Sequence, residues 1–239
     1  MKEMRIGVSF EMKKFKGTYY FLISIMSTIF LVALQGYMGY VITAIEWKVL
    51  YITAMDLFTY MLLPAFLSIF IGISFYEELR KRGNMNSIYK GMTNNEIIEN
   101  KLKLGYLYGI LLFFIGMLIS SIYMIIRGGN PIDVYIHNYD YIILMILTVL
   151  SIINWQVVLT IFLKNSVIPV IIAMGLSVFQ VVLNAMNLWI INPYGYLNNL
   201  FSIHQFKLRE IIAVCIVDIL SFYLVKRIKL KTDDYMMED

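Results

Sequence analysis

The chain has 239 residues, 60% of them hydrophobic and only 15% charged, with a mean hydropathy of +0.73 and a net charge of +4. A water-soluble domain is about 45–50% apolar and about 25% charged, so the apolar excess here is too large for one soluble core. Composition therefore excludes a soluble enzyme, a nucleic-acid-binding domain and a disordered tail. A single cysteine excludes a disulfide framework and any Cys-rich metal site.

A hydrocarbon core of about 30 Å takes about 20 apolar residues in helical form. Five windows meet that length in chain order: Tyr19–Ala44, Tyr51–Phe75, Leu104–Ile126, Tyr141–Leu163 and Val167–Ile191. The first is too long for a signal-peptide core of about 7–15 residues and has no small-residue cleavage pattern after it, so it reads as a retained span. A sixth, Ile211–Val225, is apolar but short. It must extend, thin the bilayer locally or lie behind other helices. Between the last two, residues 192–201 (Asn-Pro-Tyr-Gly-Tyr-Leu-Asn-Asn-Leu-Phe) are turn-rich yet aromatic. They read as a short outer segment able to dip into the membrane where protein covers its backbone.

Lys and Arg set the orientation. With six spans, the side holding both termini and the loops 76–103 and 164–166 carries sixteen basic residues; the other carries four, Lys48, Arg127, Lys207 and Arg209. The expected fold is an all-α membrane protein, one domain over residues 1–239, with six transmembrane helices and both termini cytoplasmic. The positive charge follows membrane orientation and makes no nucleic-acid patch. No repeat or low-complexity linker divides the chain, and Ile-, Lys-, Asn-, Tyr- and Met-rich usage suggests an AT-rich bacterial genome.

The largest cytoplasmic connection runs from Tyr76 to Lys103. Thr93 followed by Glu96 is a capping-box pattern that starts a helix leading into span three. Gly91 suits the turn before it. A short helix over 84–90 would bring Met85, Ile88 and Tyr89 to one face. This segment resembles the first cytoplasmic loop of ABC-2-type transporter permeases: an acidic residue ending span two (Glu77 or Glu78), a glycine (Gly83), a short coupling helix (Met85, Ile88, Tyr89), a turn (Gly91, Thr93), then Glu96 and Lys101 before span three. It departs from the family at Asn94-Asn95, where Ser-Arg is common, and at Gly91-Met92, where a proline is common. Residues 10–16 (Phe-Glu-Met-Lys-Lys-Phe-Lys) look like the family's amphipathic N-terminal interfacial helix, and Pro193 sits where its outer loop often has a proline.

The resemblance implies a transport subunit that is not itself an enzyme. ATP and Mg would be held by a separate ABC ATPase subunit, in keeping with the lack of a Walker-type loop here. It implies a second permease subunit, as homodimer or sister permease, a bacterial plasma-membrane location, and docking of the coupling helix on the ATPase. The small size and brief outer loops resemble lantibiotic-immunity and peptide-toxin exporter permeases, so the expected substrate is an amphipathic peptide moved outward. A drug, lipid or polysaccharide exporter permease is the alternative within the class; a non-transporting receptor or scaffold is the alternative outside it.

Few polar residues fall inside the spans. Asp218 in span six would line the pathway, bind a basic group or relay protons, or else make a structural hydrogen bond; an ionised carboxylate there is costly. Asp56 reads as reaching the outer interface. Gln180, Asn184 and Asn187 stand at i, i+4 and i+7 in span five and face either the pathway or another helix. Asn154 and Gln156 do not share a face and are assigned to packing. Gly105 and Gly109 favour a close helix contact, while Pro64 and Pro169 are expected to kink spans two and five. Glu77-Glu78 with Arg82 also matches the Glu-Glu-x-x-x-Arg motif of CPBP-type intramembrane proteases. The two histidines, His137 and His204, fall in outer loops, roughly 30 Å across the bilayer. General-base chemistry requires about 3 Å, so that reading fails. No metal site is expected.

Overall fold

The computed structural model describes residues 19–42, 53–81, 94–137, 139–197 and 208–235, and among these it is all-helical, with no strand. The interfacial helix over 10–16, the coupling residues Gly83, Met85, Ile88, Tyr89, Gly91 and Thr93, and His204 lie outside the described residues. So do the side chains of Glu77 and Glu78, although their backbone is helical.

The helices are α1 (Tyr20–Ile42), α2 (Leu63–Lys81), α3 (Asn94–Ile126), the short α4 (Pro131–His137), α5 (Tyr139–Phe162), α6 (Ile168–Ala185) and α7 (Leu208–Tyr235). Helical residues 53–57 and one wide π-helical turn, Phe58–Leu62, lead into α2. Five stretches are long and apolar enough to cross a membrane: Tyr20–Val41, Thr53–Tyr76, Asn95–Ile126, Ile142–Phe162 and Ile168–Ala185. Each overlaps one of the five long windows of the sequence, although the last ends at Ala185 rather than Ile191. α7 extends the short sixth window at both ends, but every membrane-length window across it takes in at least three charged residues, among them Asp218.

α2, α3 and α5 form the middle of the bundle. Gly105 and Gly109 let all three approach: a Cβ on Gly109 would sit 2.8 Å from Val149 of α5 and 3.0 Å from Leu67 of α2. Without a hydrophobic drive between helices in lipid, such close van der Waals contact supplies the association. α1 lies along α3, where the Tyr123 ring covers Gly36 and its hydroxyl donates to the Ala33 carbonyl at 2.7 Å. At its other end the Tyr20 hydroxyl donates to the Phe66 carbonyl, and Phe70 stacks on Tyr108 at 4.5 Å between centroids. The remaining faces of α1, α3, α6 and α7 are broad and apolar, with Leu22, Phe30, Leu118, Val181 and Ile219 among the exposed side chains. Such faces suit hydrocarbon.

Helix ends are fixed by local chemistry. α3 ends in a Schellman turn: the Gly129 and Gly128 amides donate to the Met124 and Ile125 carbonyls, with Gly128 at φ 77°. α4, in a stretch whose sequence predicts an outer loop, starts where Asn130 Oδ1 accepts from the Ile132 amide, ahead of Pro131. Pro64 does not simply kink its helix. It has no N–H for the Tyr60 carbonyl, and the wide turn before it, in which the Leu63 amide reaches back to the Phe58 carbonyl, takes up the change of register. Pro169 does not kink α6 either. It stands in the first turn, after Asn165 Oδ1 has accepted from the Val167 and Ile168 amides. There a missing N–H costs nothing.

Candidate functional site

Most buried hydroxyls of the core, such as Thr28, Thr59, Ser68, Thr160 and Ser177, donate to carbonyls of their own helices. The buried amides and carboxyl are more telling. Asn154, Gln156, Gln180, Asn192 and Asp218 are all buried and converge where α5 meets α6, α7 and the segment 189–197.

That segment is placed by the early end of α6. The expected span five ran to Ile191, but the helix stops at Ala185 in a second Schellman turn, with the Leu188 and Asn187 amides donating to the Leu183 and Asn184 carbonyls. Asn187 takes φ 55°, the left-handed conformation that Gly and Asn tolerate best. Two single 3-10 turns follow, Trp189–Ile191 and Pro193–Gly195, and the chain doubles back along α6. Asn192 Nδ2 donates to the Leu176 carbonyl at 2.7 Å, roughly two helical turns back from Ala185. Asn192, Tyr194, Gly195, Tyr196 and Leu197 are buried, so protein does cover this backbone, as its dipping into a membrane requires.

One polar set is nearly complete, with Gln156 Nε2 its one donor left without a hydrogen bond of standard geometry. Asn192 Nδ2 also donates to Gln180 Oε1 at 2.8 Å, and Gln180 Nε2 donates to Asn184 Oδ1 at 2.7 Å. Asn192 Oδ1 takes the Tyr194 amide, and the Tyr194 hydroxyl donates to Gln156 Oε1 at 3.0 Å. Gly195 fits against Gln180 so closely that an added Cβ would lie 2.0 Å from Gln180 Cδ. The expected stripe of Gln180, Asn184 and Asn187 is therefore corrected: Asn187 is an exposed helix terminator beyond the end of α6, and Asn192 joins the other two. A projection that runs the helix through residue 187 puts it on the wrong element.

A second set, between α5 and α7, is left open. α5 and α7 run parallel, since Asn154 Nδ2 donates to Ser221 Oγ at 3.3 Å while Asp218, one turn earlier, faces Ser151 and Thr148. Asn154, expected only to pack, is the hub: Oδ1 takes the Tyr106 hydroxyl of α3, so three helices meet on one amide. Ser221 Oγ donates to the Asp218 carbonyl. The Asp218 side chain itself is 3% exposed, and the Ser151 and Thr148 hydroxyls are its hydrogen-bond neighbours, although neither contact has standard geometry. No ion pair joins Asp218 among the described residues. Each unsatisfied buried polar group costs about 1–3 kcal/mol, and a carboxylate more. Asp56, by contrast, is exposed.

At the end of the bundle where α2 stops and α3 starts, Lys101 is buried. Its ammonium donates to the Ser74 carbonyl and lies 5.0 Å from the Phe75 ring centroid. It acts between α2 and α3 inside the protein and offers no surface to a partner. Glu96 is exposed in the first turn of α3, which starts at Asn94, where a Thr93 cap would end. Among the described residues no three His, Cys, Asp or Glu side chains cluster as a metal site.

The class these features define is, among the described residues, an all-helical protein with five helices long and apolar enough to cross a membrane. The chain matches no family model, no curated protein and no solved structure.

Proposed function

We propose that the chain is the permease subunit of an ATP-driven exporter of the ABC-2 type, moving an amphipathic peptide out of a bacterial cell or its membrane. In this reading α7 is a sixth span, both termini are cytoplasmic, and a separate ABC ATPase docks on the segment 82–93. A second permease subunit completes the pathway. The observation that supports it most is the build of the α2–α3 junction. α2 continues past its apolar stretch to Lys81, and the buried Lys101 of α3 fastens the two helices to each other through Ser74 and Phe75. A push on the segment between them would therefore move two spans as one body. A plain connecting loop needs no such fastening.

The test is a pull-down of the tagged full chain from mild detergent, with ATP hydrolysis as the readout, repeated after Ile88→Asp. Stoichiometric ATPase with the wild type, lost in the variant, is the expected result. A protein that comes alone in both cases would favour a receptor or scaffold instead.

A further inference from the structure

The short helix α4 lies lower against the bundle than a connecting loop needs to. α3 closes its apolar run at Ile126, and the Schellman turn at Gly128 sends the chain back along it. From there the Tyr135 hydroxyl of α4 donates to the Met117 carbonyl at 3.0 Å and lies 2.6 Å from Ser121 Oγ. Met117 and Ser121 stand nine and five residues before Ile126, roughly 8–13 Å back along α3. A tyrosine side chain is shorter than that, so α4 runs beside the last turns of α3 and not above them. Arg127, the first charge after Lys103, marks the end of the apolar surface. Its guanidinium donates to the Tyr40 carbonyl and lies over the Tyr40 ring, 4.2 Å from the centroid. Below that level α3 turns Leu118, Ile122 and Ile125 outward, an apolar stripe at the height that Tyr135 reaches.

We infer that α4 is an interfacial membrane helix, lying in one leaflet with Ile132 and Ile136 among the acyl chains. These two stand at i and i+4 on one face, and each is 62% exposed. Val134, which is buried, and Tyr135 make the contacts with the bundle, so the isoleucines are left over from its packing. Asp133 is exposed about 100° round the helix from Ile132, where headgroups and water meet it. An apolar face set about 5–10 Å into the boundary, with a polar face above, is how amphipathic helices lie on membranes. Tyr139, the first residue of α5, is exposed beside α4 and suits the same level, where tyrosines gather. The connection between α3 and α5 is then tied twice, to the protein by Tyr135 and to lipid by the isoleucines. It thereby sets the depth at which those two spans sit. This holds for either leaflet and does not rest on the export reading.

Spin labels can read this depth directly. Cys215→Ser removes the one native cysteine, and Ile132→Cys, Asp133→Cys and Ile136→Cys would each carry a nitroxide, with Leu118→Cys as a lipid-facing reference. The labelled full chain in lipid nanodiscs is exposed to oxygen, which concentrates among acyl chains, and to a water-soluble nickel chelate. The oxygen-to-nickel collision ratio at positions 132 and 136 should exceed that at position 133 by about threefold or more, as suits the depth of an interfacial helix. Both isoleucines are exposed, so neither substitution breaks a packed contact, and either one decides the matter if the other folds poorly. Ratios at 132 and 136 as low as that at 133 would overturn the inference and put α4 in water. Poor access of both reagents, with spin–spin broadening between labels, would also overturn it and give the face to a second copy of the chain.

Discussion

Replacing Gly195 by alanine tests the doubled-back segment at its tightest point. The new Cβ would lie 2.0 Å from Gln180 Cδ and 2.1 Å from its Oε1. The backbone of the segment is held by the Asn192 bonds, so the mobile partner is the Gln180 side chain, which must swing away. In doing so it gives up the bond from Asn192 at 2.8 Å and the bond to Asn184 at 2.7 Å. Side-chain hydrogen bonds between helices in membranes average about 0.6 kcal/mol and reach about 1.7, so the substitution should cost about 1–3 kcal/mol. For a chain of this size that is a fall in melting temperature of about 3–10 °C, followed by tryptophan fluorescence in detergent. The diagnostic is a double-mutant cycle. Gln180→Ala forfeits the same two bonds and empties the space, so adding Gly195→Ala to it should cost almost nothing further, with a coupling of about 1–3 kcal/mol. Additive costs would refute the argument, because the alanine would then be paying for something other than its collision with Gln180.

Three further outcomes follow from the geometry. Asn187→Ala should destabilise by about 1 kcal/mol because alanine resists the left-handed conformation, whereas Asn187→Gly should be neutral within about 0.5 kcal/mol; thermal melts would read both, and equal losses would return Asn187 to a side-chain role. Lys101→Ala removes a charged donor from the Ser74 carbonyl and should cost about 1.5–3 kcal/mol; on the proposed export reading it should also uncouple ATP hydrolysis from transport more than it lowers ATPase capture. A Lys101→Ala protein as stable as wild type would show that the fastening is not there. Gly36→Val should lower stability by about 1–3 kcal/mol, since even a Cβ falls 2.5 Å from the Tyr123 ring, and Tyr123→Ala should recover part of that loss in the double variant.

The five long helices were legible because each is an unbroken apolar run, and length against hydrocarbon thickness is a strong constraint. The glycine pair in α3 was legible too, since small residues four apart have one use in a packed helix pair. The errors came from the ends. Asn187 continues the α6 stripe on a helical projection, and nothing in the spacing shows that the helix has stopped; the signal was its residue type, an asparagine fit for a left-handed turn. Pro169 looks internal to an apolar window until Asn165 is recognised as the cap four residues before it. Asn154 and Gln156 had no local pattern to read, because their partners, Ser221 and Tyr194, stand 67 and 38 residues away.

That distance is also why a polar residue in a span says so little by itself. Gln180 and Asp218 look alike in sequence, each a lone polar group in apolar surroundings with a helix contact or a pathway as its two uses. What separates them is whether the donors and acceptors around them balance. Around Gln180 they do: its amide gives one bond and takes one, and the segment that completes it is folded there for that purpose. Around Asp218 they do so only loosely: the Ser151 and Thr148 hydroxyls face the carboxyl, but neither meets it in standard geometry. A fold that only needed to join α5 to α7 already has Asn154 and Ser221 to do it, and an apolar side chain at 218 would join them at lower cost.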